Sequence, residues 1–342
     1  MPLPATIKMK ILFLTLDNNT KFRNDYMNDS LLHGFRELYG ENVIDYPGAW
    51  YMYQDEVKKR KFDYSNIWGN GFTFYDEFRN FDYFDRNNIQ EKIKKNYFDY
   101  IVYGSFTRSK FFLEDAKKSN SKIILIDGED NQDLSQNSDS KIAYFKRELA
   151  KDVKNVFPIN ISIPKKKIVN NINPNPKNLL APLIPHRYKT YIYKNQHDYY
   201  KMWQDSIFGI SYVYGGWWDA LRYYEMLMNG CVPLIQNFEN CPKNSLHFLP
   251  KKYLLDANIN YSWVLGQYNP FRIYKKKFLN FTKFSLYLRS FFKKKYNAEE
   301  FIQNFPEINI LRDRLIEYSN EFLTTKAMAK YIIDQSDKFY NQ

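Results

Sequence analysis

Short apolar segments that alternate with helical ones constrain the fold of this chain more than any other feature. The run "KMKILFLTLD" (8–17) is continuously apolar, which is typical of a parallel strand buried on both faces. A helical pattern follows over 27–39 and ends at Gly40, a residue suited to the end of a helix. Strands joined through helices form parallel sheets, so the sequence predicts an α/β fold.

The same alternation continues along the chain. Further strands are predicted in "NVIDYP", "FDYIVYGS" and "SKIILIDGED", and then over 178–185, 207–214 and 231–235. Helices are expected near 109–118 and over 319–334, with Thr324 and Thr325 among the candidate caps of the second one. The section 49–88 fits neither pattern, and the proline- and lysine-rich stretch 157–178 predicts an interdomain connection.

Length and charge narrow the class of protein. A chain of 342 residues exceeds the usual size of one core, which predicts two domains. The N-terminal apolar segment resembles a strand more than a signal peptide, so we expect a cytoplasmic protein. Two cysteines and four scattered histidines show no metal-ligand spacing. The net charge of +12 fits a nucleotide, nucleic acid or lipid headgroup partner, although a bias toward AT-rich codons would also produce it.

The segment "YGGWWDALRYYEMLMNGCVPLI" (214–235) has the order strand, Gly-Gly turn, helix, glycine, strand. Gly215 and Gly216 let a ligand approach the backbone, and the N–H groups at the start of the helix that follows suit a diphosphate. Arg222 adds a cation to this site, and Glu225 can accept two hydroxyls of a ribose.

Aromatic and acidic residues flank that turn. Trp217 and Trp218 suit stacking on a base or a sugar ring, and Asp219 lies with Arg222 and Glu225 on the predicted polar side of the helix. The alternative is structural: a tight glycine connection, tryptophans in the core and a surface ion pair between Arg222 and Glu225.

This segment resembles the donor-binding segment of GT-B glycosyltransferases, in which a glycine-rich turn precedes a helix that carries a ribose-binding glutamate. Glu225 matches that glutamate, and "NGCVPLI" (229–235) matches the glycine-x-proline segment and strand that follow it. Trp217 stands where the family usually carries an acid, and Asp219 is a candidate substitute. The phrases "VYGSFTRS", "LIDGEDNQ" and "YFKREL" resemble uncharacterised glycosyltransferase-like proteins.

The resemblance implies a GT-B architecture with two Rossmann-like domains that face a central cleft. We therefore expect an N-terminal acceptor domain over 1–160 and a nucleotide-sugar domain over 161–320. A C-terminal helix over 321–342 would return to the first domain. The family also often brings basic residues after the first strand of the second domain to the diphosphate. Arg187 and Lys189 lie there, with an exposed basic loop as the alternative.

Ligands of parallel sheets bind beyond the carboxyl ends of the strands. This places several residues around one cleft: Asp17, Gly104, Ser105, Asp127, Glu129 and Asp130. The carboxylates of "DGED" (127–130) suit a divalent ion in a GT-A enzyme. In a GT-B enzyme one of them would act as general base on the acceptor hydroxyl, and a solvated acidic turn is the structural alternative.

Two charged segments are secondary candidates. Lys146 and Arg147 in "YFKREL" would lie near the interdomain cleft, unless they form a solvated face. The stretch 274–296 interleaves lysines with aromatic residues. It predicts peripheral contact with an anionic membrane or with nucleic acid, or else a basic helix packed on the core.

The resemblance therefore implies a metal-independent hexosyltransferase without a cofactor. It would move a sugar from a nucleotide diphosphate sugar to a hydroxyl of a cell-surface or envelope glycan, lipid or protein. A DNA-modifying glucosyltransferase and a non-catalytic GT-B-like binding protein are the alternatives.

Overall fold

The structure is a computed structural model that describes residues 9–17, 25–67, 70–135, 141–185, 187–213, 217–268 and 295–342. The predictions for Gly215 and Gly216, and those for most of the basic segment 274–296, lie outside these residues. We call the part up to Ile163 the first unit and residues 164–322 the second unit.

The first unit contains a six-stranded, all-parallel sheet in the order β2-β1-β3-β4-β5-β6. The predicted α/β class is thus confirmed. The strands are β1 Ile11–Leu14, β2 Val43–Tyr46, β3 Tyr100–Tyr103, β4 Lys122–Asp127, β5 Ala143–Lys146 and β6 Val156–Pro158.

Both faces of this sheet are covered, which explains the continuous apolar runs. In β1, Ile11 and Phe13 pack into one core cluster, whereas Leu12 and Leu14 pack into the other. This alternation follows from the two-residue period of a strand. The helices of the first unit are α1 Tyr26–Tyr39, α2 Gln54–Lys59, α3 Ile89–Lys94 and α4 Leu113–Lys118. As predicted, α1 ends at Gly40, whose φ of 54° is in the left-handed region.

The second unit contains a three-stranded parallel sheet in the order β7-β8-β9. Its strands are β7 Asn178–Leu180, β8 Ser206–Ser211 and β9 Val232–Ile235. Its helices are α5 Gln196–Gln204, α6 Leu221–Met228, α7 Lys251–Tyr261, α8 Ala298–Asn304 and α9 Glu307–Phe322. A last helix, α10 Thr325–Tyr340, packs on α1 and on the first sheet. Both sheets are compatible with Rossmann-like folds.

The prediction of one helix over 319–334 is wrong, because two helices meet there. The backbone between α9 and α10 runs beside Ile163, whose N–H donates to the carbonyl of Leu323 and whose carbonyl accepts from Thr325. This pairing holds the chain extended at the junction. Thr324 then caps α10 by accepting a hydrogen bond from the N–H of Ala327 at 3.1 Å.

Two strands of the first sheet were missed. The charges in "YFKREL" conceal β5, but Lys146 is fully buried because it forms an ion pair with Asp127 on β4. The predicted connection 157–178 begins inside β6, and Ile159 and Ile161 within it are buried. The prolines and lysines therefore lie beside a packed segment and do not form a free linker.

In the described part of the section 49–88, unassigned from sequence, short 3₁₀ helices and turns accompany α2, and Asn70 and Thr73 bond to the second unit. Its Trp50, Tyr53, Phe72 and Phe74 are buried in the main core cluster. The domain boundaries at 160 and 320 remain predictions. Within the described ranges, no helix combines the length and apolarity that are needed to cross a membrane.

The contact between α1 and α10 leaves no room for a side chain at Gly34. A Cβ at this position would overlap the carbonyl of Thr325. We expect Gly34→Ala to lower the free energy of unfolding by about 1–3 kcal/mol, the usual cost of overpacking. Urea unfolding measures this change. Gly128→Ala is the matched control, since its Cβ would meet Met27 at an ordinary 3.4 Å. Equal losses in both variants would contradict the packing of α1 on α10.

Candidate functional site

Helix α6 belongs to the second unit, and its Glu225, which contacts Thr73 of the first unit, is almost completely buried. The Thr73 hydroxyl donates to Glu225 Oε1 at 2.6 Å, and the Tyr199 hydroxyl donates to Oε2 at 2.7 Å. Burial raises the pKa of Glu225, whereas these two hydrogen bonds lower it. The predicted polar face of the helix is therefore not a solvated face, and the surface ion pair is excluded for Glu225.

Arg222 lies one turn before Glu225 on the same helix and is partly buried. Its guanidinium carbon is 5.4 Å from the centre of the Tyr191 ring, a distance typical of a cation–π contact. The positive charge of Arg222 also lowers the pKa of Glu225. The two predicted donor-binding residues of α6 thus lie together, surrounded by tyrosines of the second unit.

The residues before α6 are held by Glu148, which follows β5. One oxygen of this fully buried carboxylate, Oε1, accepts hydrogen bonds from the backbone N–H of Trp218 at 2.9 Å and of Asp219 at 2.7 Å. These two N–H groups, which lie directly before α6, thus face an anion of the first unit. Trp218 is buried, and Trp217 is partly buried.

Asp219 is bonded on both carboxylate oxygens. Oδ2 accepts from the N–H of Ile161 at 2.9 Å, and Oδ1 accepts from the hydroxyl of Tyr224 at 2.7 Å. Burial raises the pKa of Asp219 to about 6, with the Arg147 guanidinium lowering it and the Glu148 carboxylate raising it. Asp219 therefore joins the two units.

Arg147 completes this junction. Its guanidinium donates to the carbonyl of Asp219 at 3.0 Å and forms an ion pair with Asp130. Three consecutive residues at the end of β5 thus bind three groups: Lys146 binds Asp127, Arg147 binds Asp130 and the second unit, and Glu148 binds the turn before α6.

The predicted acceptor-facing carboxylates are all engaged. Asp127 is fully buried and is bonded by Lys146 at 3.0 Å, by the hydroxyl of Ser135 at 2.7 Å and by the hydroxyl of Tyr144. Burial raises the pKa of Asp127, but the hydrogen bonds and the lysine outweigh burial and keep it below its usual value. A buried carboxylate with these partners and a lowered pKa suits a structural anchor, which does not favour the general-base prediction for Asp127.

Glu129 and Asp130 are more accessible. Glu129 accepts from the Thr107 hydroxyl and from Arg108 Nε at 3.1 Å, and about a quarter of its side chain is exposed. Half of the Asp130 side chain is exposed beside Arg147. The "DGED" stretch thus combines one buried anchor with two partly exposed ion pairs.

The remaining predicted residues lie at the carboxyl ends of strands. Lys189 is exposed, as its structural alternative proposed, and Arg187 is partly buried in the same loop after β7. Asp17 is exposed after β1. Gly104 and Ser105 are buried after β3, and a Cβ at Gly104 would overlap the ring of Phe13. The first-unit residues therefore lie along one edge of their sheet, with Gly104 closed off by packing.

Sequence reasoning missed Glu148, Thr73 and Tyr199. Glu148 lies directly after the Lys146–Arg147 pair, so a hidden strand ending at Lys146 is the signal that would have identified it. Thr73 has no such signal, because its partner Glu225 is 152 residues away in the chain.

The described part of the chain contains no group of three or more His, Cys, Asp or Glu residues arranged to hold a metal ion. No family model, curated protein or solved structure matches the chain.

The raised pKa of Asp219 predicts a pH dependence of stability. The folded state binds this proton more tightly than the unfolded state, whose pKa is near 3.8. The resulting stabilisation is present below that value and is lost as the pH rises through 6. The free energy of unfolding of the wild type minus that of Asp219→Asn should fall by about 2–3 kcal/mol between about pH 4 and pH 7.

Chemical denaturation at a series of pH values measures this difference. The control is Asp256→Asn, at an exposed position of α7. The burial of Asp219 is contradicted if its difference curve is as flat as that of the control.

Proposed function

We propose that this chain is a glycosyltransferase of the GT-B type that uses a nucleotide diphosphate sugar as donor. The observation that carries the proposal is the arrangement on α6: Glu225 receives one hydroxyl on each carboxylate oxygen. A carboxylate with this geometry suits the two adjacent hydroxyls of a ribose. The interface between two parallel-sheet units supports the proposal, since ligands of such folds bind at these edges.

Arg222 supplies the charge that the proposal requires. It lies one turn before Glu225, so a ligand with its ribose on Glu225 would direct its diphosphate toward the guanidinium. Arg187, in the loop after β7, would assist from the second unit. Stabilisation of the departing diphosphate by these cations would supply much of the rate enhancement, because negative charge develops there.

The acceptor would approach from the first unit. Since Asp127 is saturated by hydrogen bonds, we assign the acceptor-facing role to the partly exposed Glu129 or Asp130. Either carboxylate would orient or deprotonate an acceptor hydroxyl. No metal ion is needed for these roles. The acceptor would be a hydroxyl of a glycan, lipid or protein.

A non-catalytic binding protein is the second candidate. It is favoured by the hydrogen bonds that Glu225, Asp219 and Glu148 already make within the chain, which are also those of a purely structural interface. Detectable hydrolysis or transfer of a nucleotide sugar would exclude it.

The test is a thermal-shift screen with nucleoside diphosphates and nucleotide sugars, followed by calorimetric titration of the best ligand. At about 100 times its dissociation constant, a ligand should stabilise the wild type by about 2.7 kcal/mol. Glu225→Gln should raise the dissociation constant by about tenfold or more, because an amide NH₂ cannot accept the second hydroxyl.

The matched control is Glu91→Gln on the exposed side of α3, which should bind like the wild type. Failure of every nucleotide to shift the wild-type melting temperature would overturn the proposed function.

A further inference from the structure

The Thr73 hydroxyl is the first-unit group on Glu225, and its proton can be assigned. The Thr73 hydroxyl donates to Glu225 Oε1, and a hydroxyl has only one proton to donate. Tyr200, whose hydroxyl is 2.8 Å from Thr73 Oγ1, must then donate to Thr73. The four groups form one buried chain in which Tyr200 donates to Thr73, and Thr73 and Tyr199 donate to Glu225.

We propose that Thr73 is an internal competitor that occupies a ligand hydroxyl position on Glu225 and is displaced when the nucleotide binds. This inference rests on the proposed function of Glu225. A secondary alcohol on the protein stands where a secondary alcohol of a ribose would bind. In the ligand-free chain, the first unit thus blocks the nucleotide site of the second unit.

The exchange is balanced for Glu225. When Thr73 leaves, one ligand hydroxyl takes its place on Oε1, so the buried carboxylate is never left without a donor. Tyr199 belongs to the second unit and lies on the other oxygen, Oε2. Removal of Thr73 alone would therefore open one hydroxyl position on Oε1.

The segment that carries Thr73 contacts the second unit through the buried ring of Phe72, which packs on Tyr199, and through hydrogen bonds between side chains and backbone carbonyls. Gln196 Nε2 donates to the carbonyl of Phe72 at 2.8 Å, and Lys167 donates to the carbonyl of Thr73. Asn70 Nδ2 donates to the carbonyl of Tyr193 at 2.8 Å. Water can replace each of these donors and acceptors when the segment withdraws.

Lys167 would retain a partner after the exchange. Its ammonium also forms an ion pair with Glu77, and that carboxylate is further paired with Lys166 at 2.8 Å. The segment 70–76 is bounded by two residues with left-handed backbone, Asn70 at φ 61° and Asp76 at φ 48°. The turn with Thr73 therefore lies between two backbone bends, at Asn70 and at Asp76.

Nucleotide binds only to molecules in which Thr73 has left Glu225, which we call the open state. The apparent dissociation constant is therefore the intrinsic one divided by the fraction of molecules in the open state. Thr73→Val keeps the side-chain shape but removes the hydroxyl, so the closed state loses its hydrogen bond to Glu225. We expect the dissociation constant for the nucleoside diphosphate found in the screen to fall by about tenfold. Thr73→Ser retains the hydroxyl and is the matched control, with an affinity close to that of the wild type.

Calorimetric titration of the wild type and both variants decides between the outcomes. Tighter binding by Thr73→Val than by the wild type and Thr73→Ser supports the proposal that Thr73 competes with the nucleotide. Equal or weaker binding by Thr73→Val, with normal binding by the wild type, overturns the proposal that Thr73 competes with the nucleotide and leaves the proposed function intact. Absence of binding in all three proteins overturns the proposed function, and the competitor with it.

Hydrogen–deuterium exchange of the wild type gives a readout that does not depend on any variant. The backbone amides of residues 70–78 should exchange faster with saturating nucleotide than without it, because the segment leaves Glu225. Slower exchange of these amides in the complex would show that the segment closes on the ligand, and would overturn the displacement.

Discussion

The structure depends on how the chain satisfies the buried carboxylates around α6. An ionised carboxylate removed from water costs several kcal/mol unless it is paired or hydrogen-bonded. Glu225, Asp219 and Glu148 are all buried, and each is bonded to the opposite unit: Glu225 to Thr73, Asp219 to Ile161 and Glu148 to Trp218. The two sheets are thereby joined by charged groups whose requirements neither unit meets alone.

The same requirement connects the fold to the proposed function. The groups that a nucleotide would use, a diol-binding carboxylate and backbone N–H groups before a helix, are those that the chain satisfies internally. Glu148 acts as the anion at the N–H groups, and Thr73 acts as the alcohol on Glu225. Under the proposed function, such a site would open only to a ligand that replaces each lost hydrogen bond, which would favour specificity over affinity.

Apolar runs and the helical period predicted those strands and helices whose burial follows from neighbouring residues in the chain. The apolar runs identified β1 and β4, and the helical period with Gly40 identified α1 and its end. They failed for β5, because Lys146 appears exposed by residue type but is neutralised by Asp127 on the neighbouring strand. Charge in a sequence indicates exposure only when no partner is buried with it.

The candidate site was predictable in its residues but not in its environment. The motif placed Arg222 and Glu225 one turn apart, and α6 holds them there. The burial of Glu225 involves Thr73, which comes from a section without any recognisable period. Pairing between residues so far apart in the chain leaves no signal in a single sequence. The role of Asp127 was missed for the same reason, since its three side-chain partners come from two later segments of the chain.

A crystal structure of the chain with a bound nucleoside diphosphate tests the central claim most directly. The account predicts a ribose hydroxyl on Glu225 Oε1, the diphosphate beside Arg222, and Thr73 Oγ1 beyond hydrogen-bonding distance of Glu225 Oε1. A nucleotide bound elsewhere, with the Thr73–Glu225 hydrogen bond intact, would contradict it.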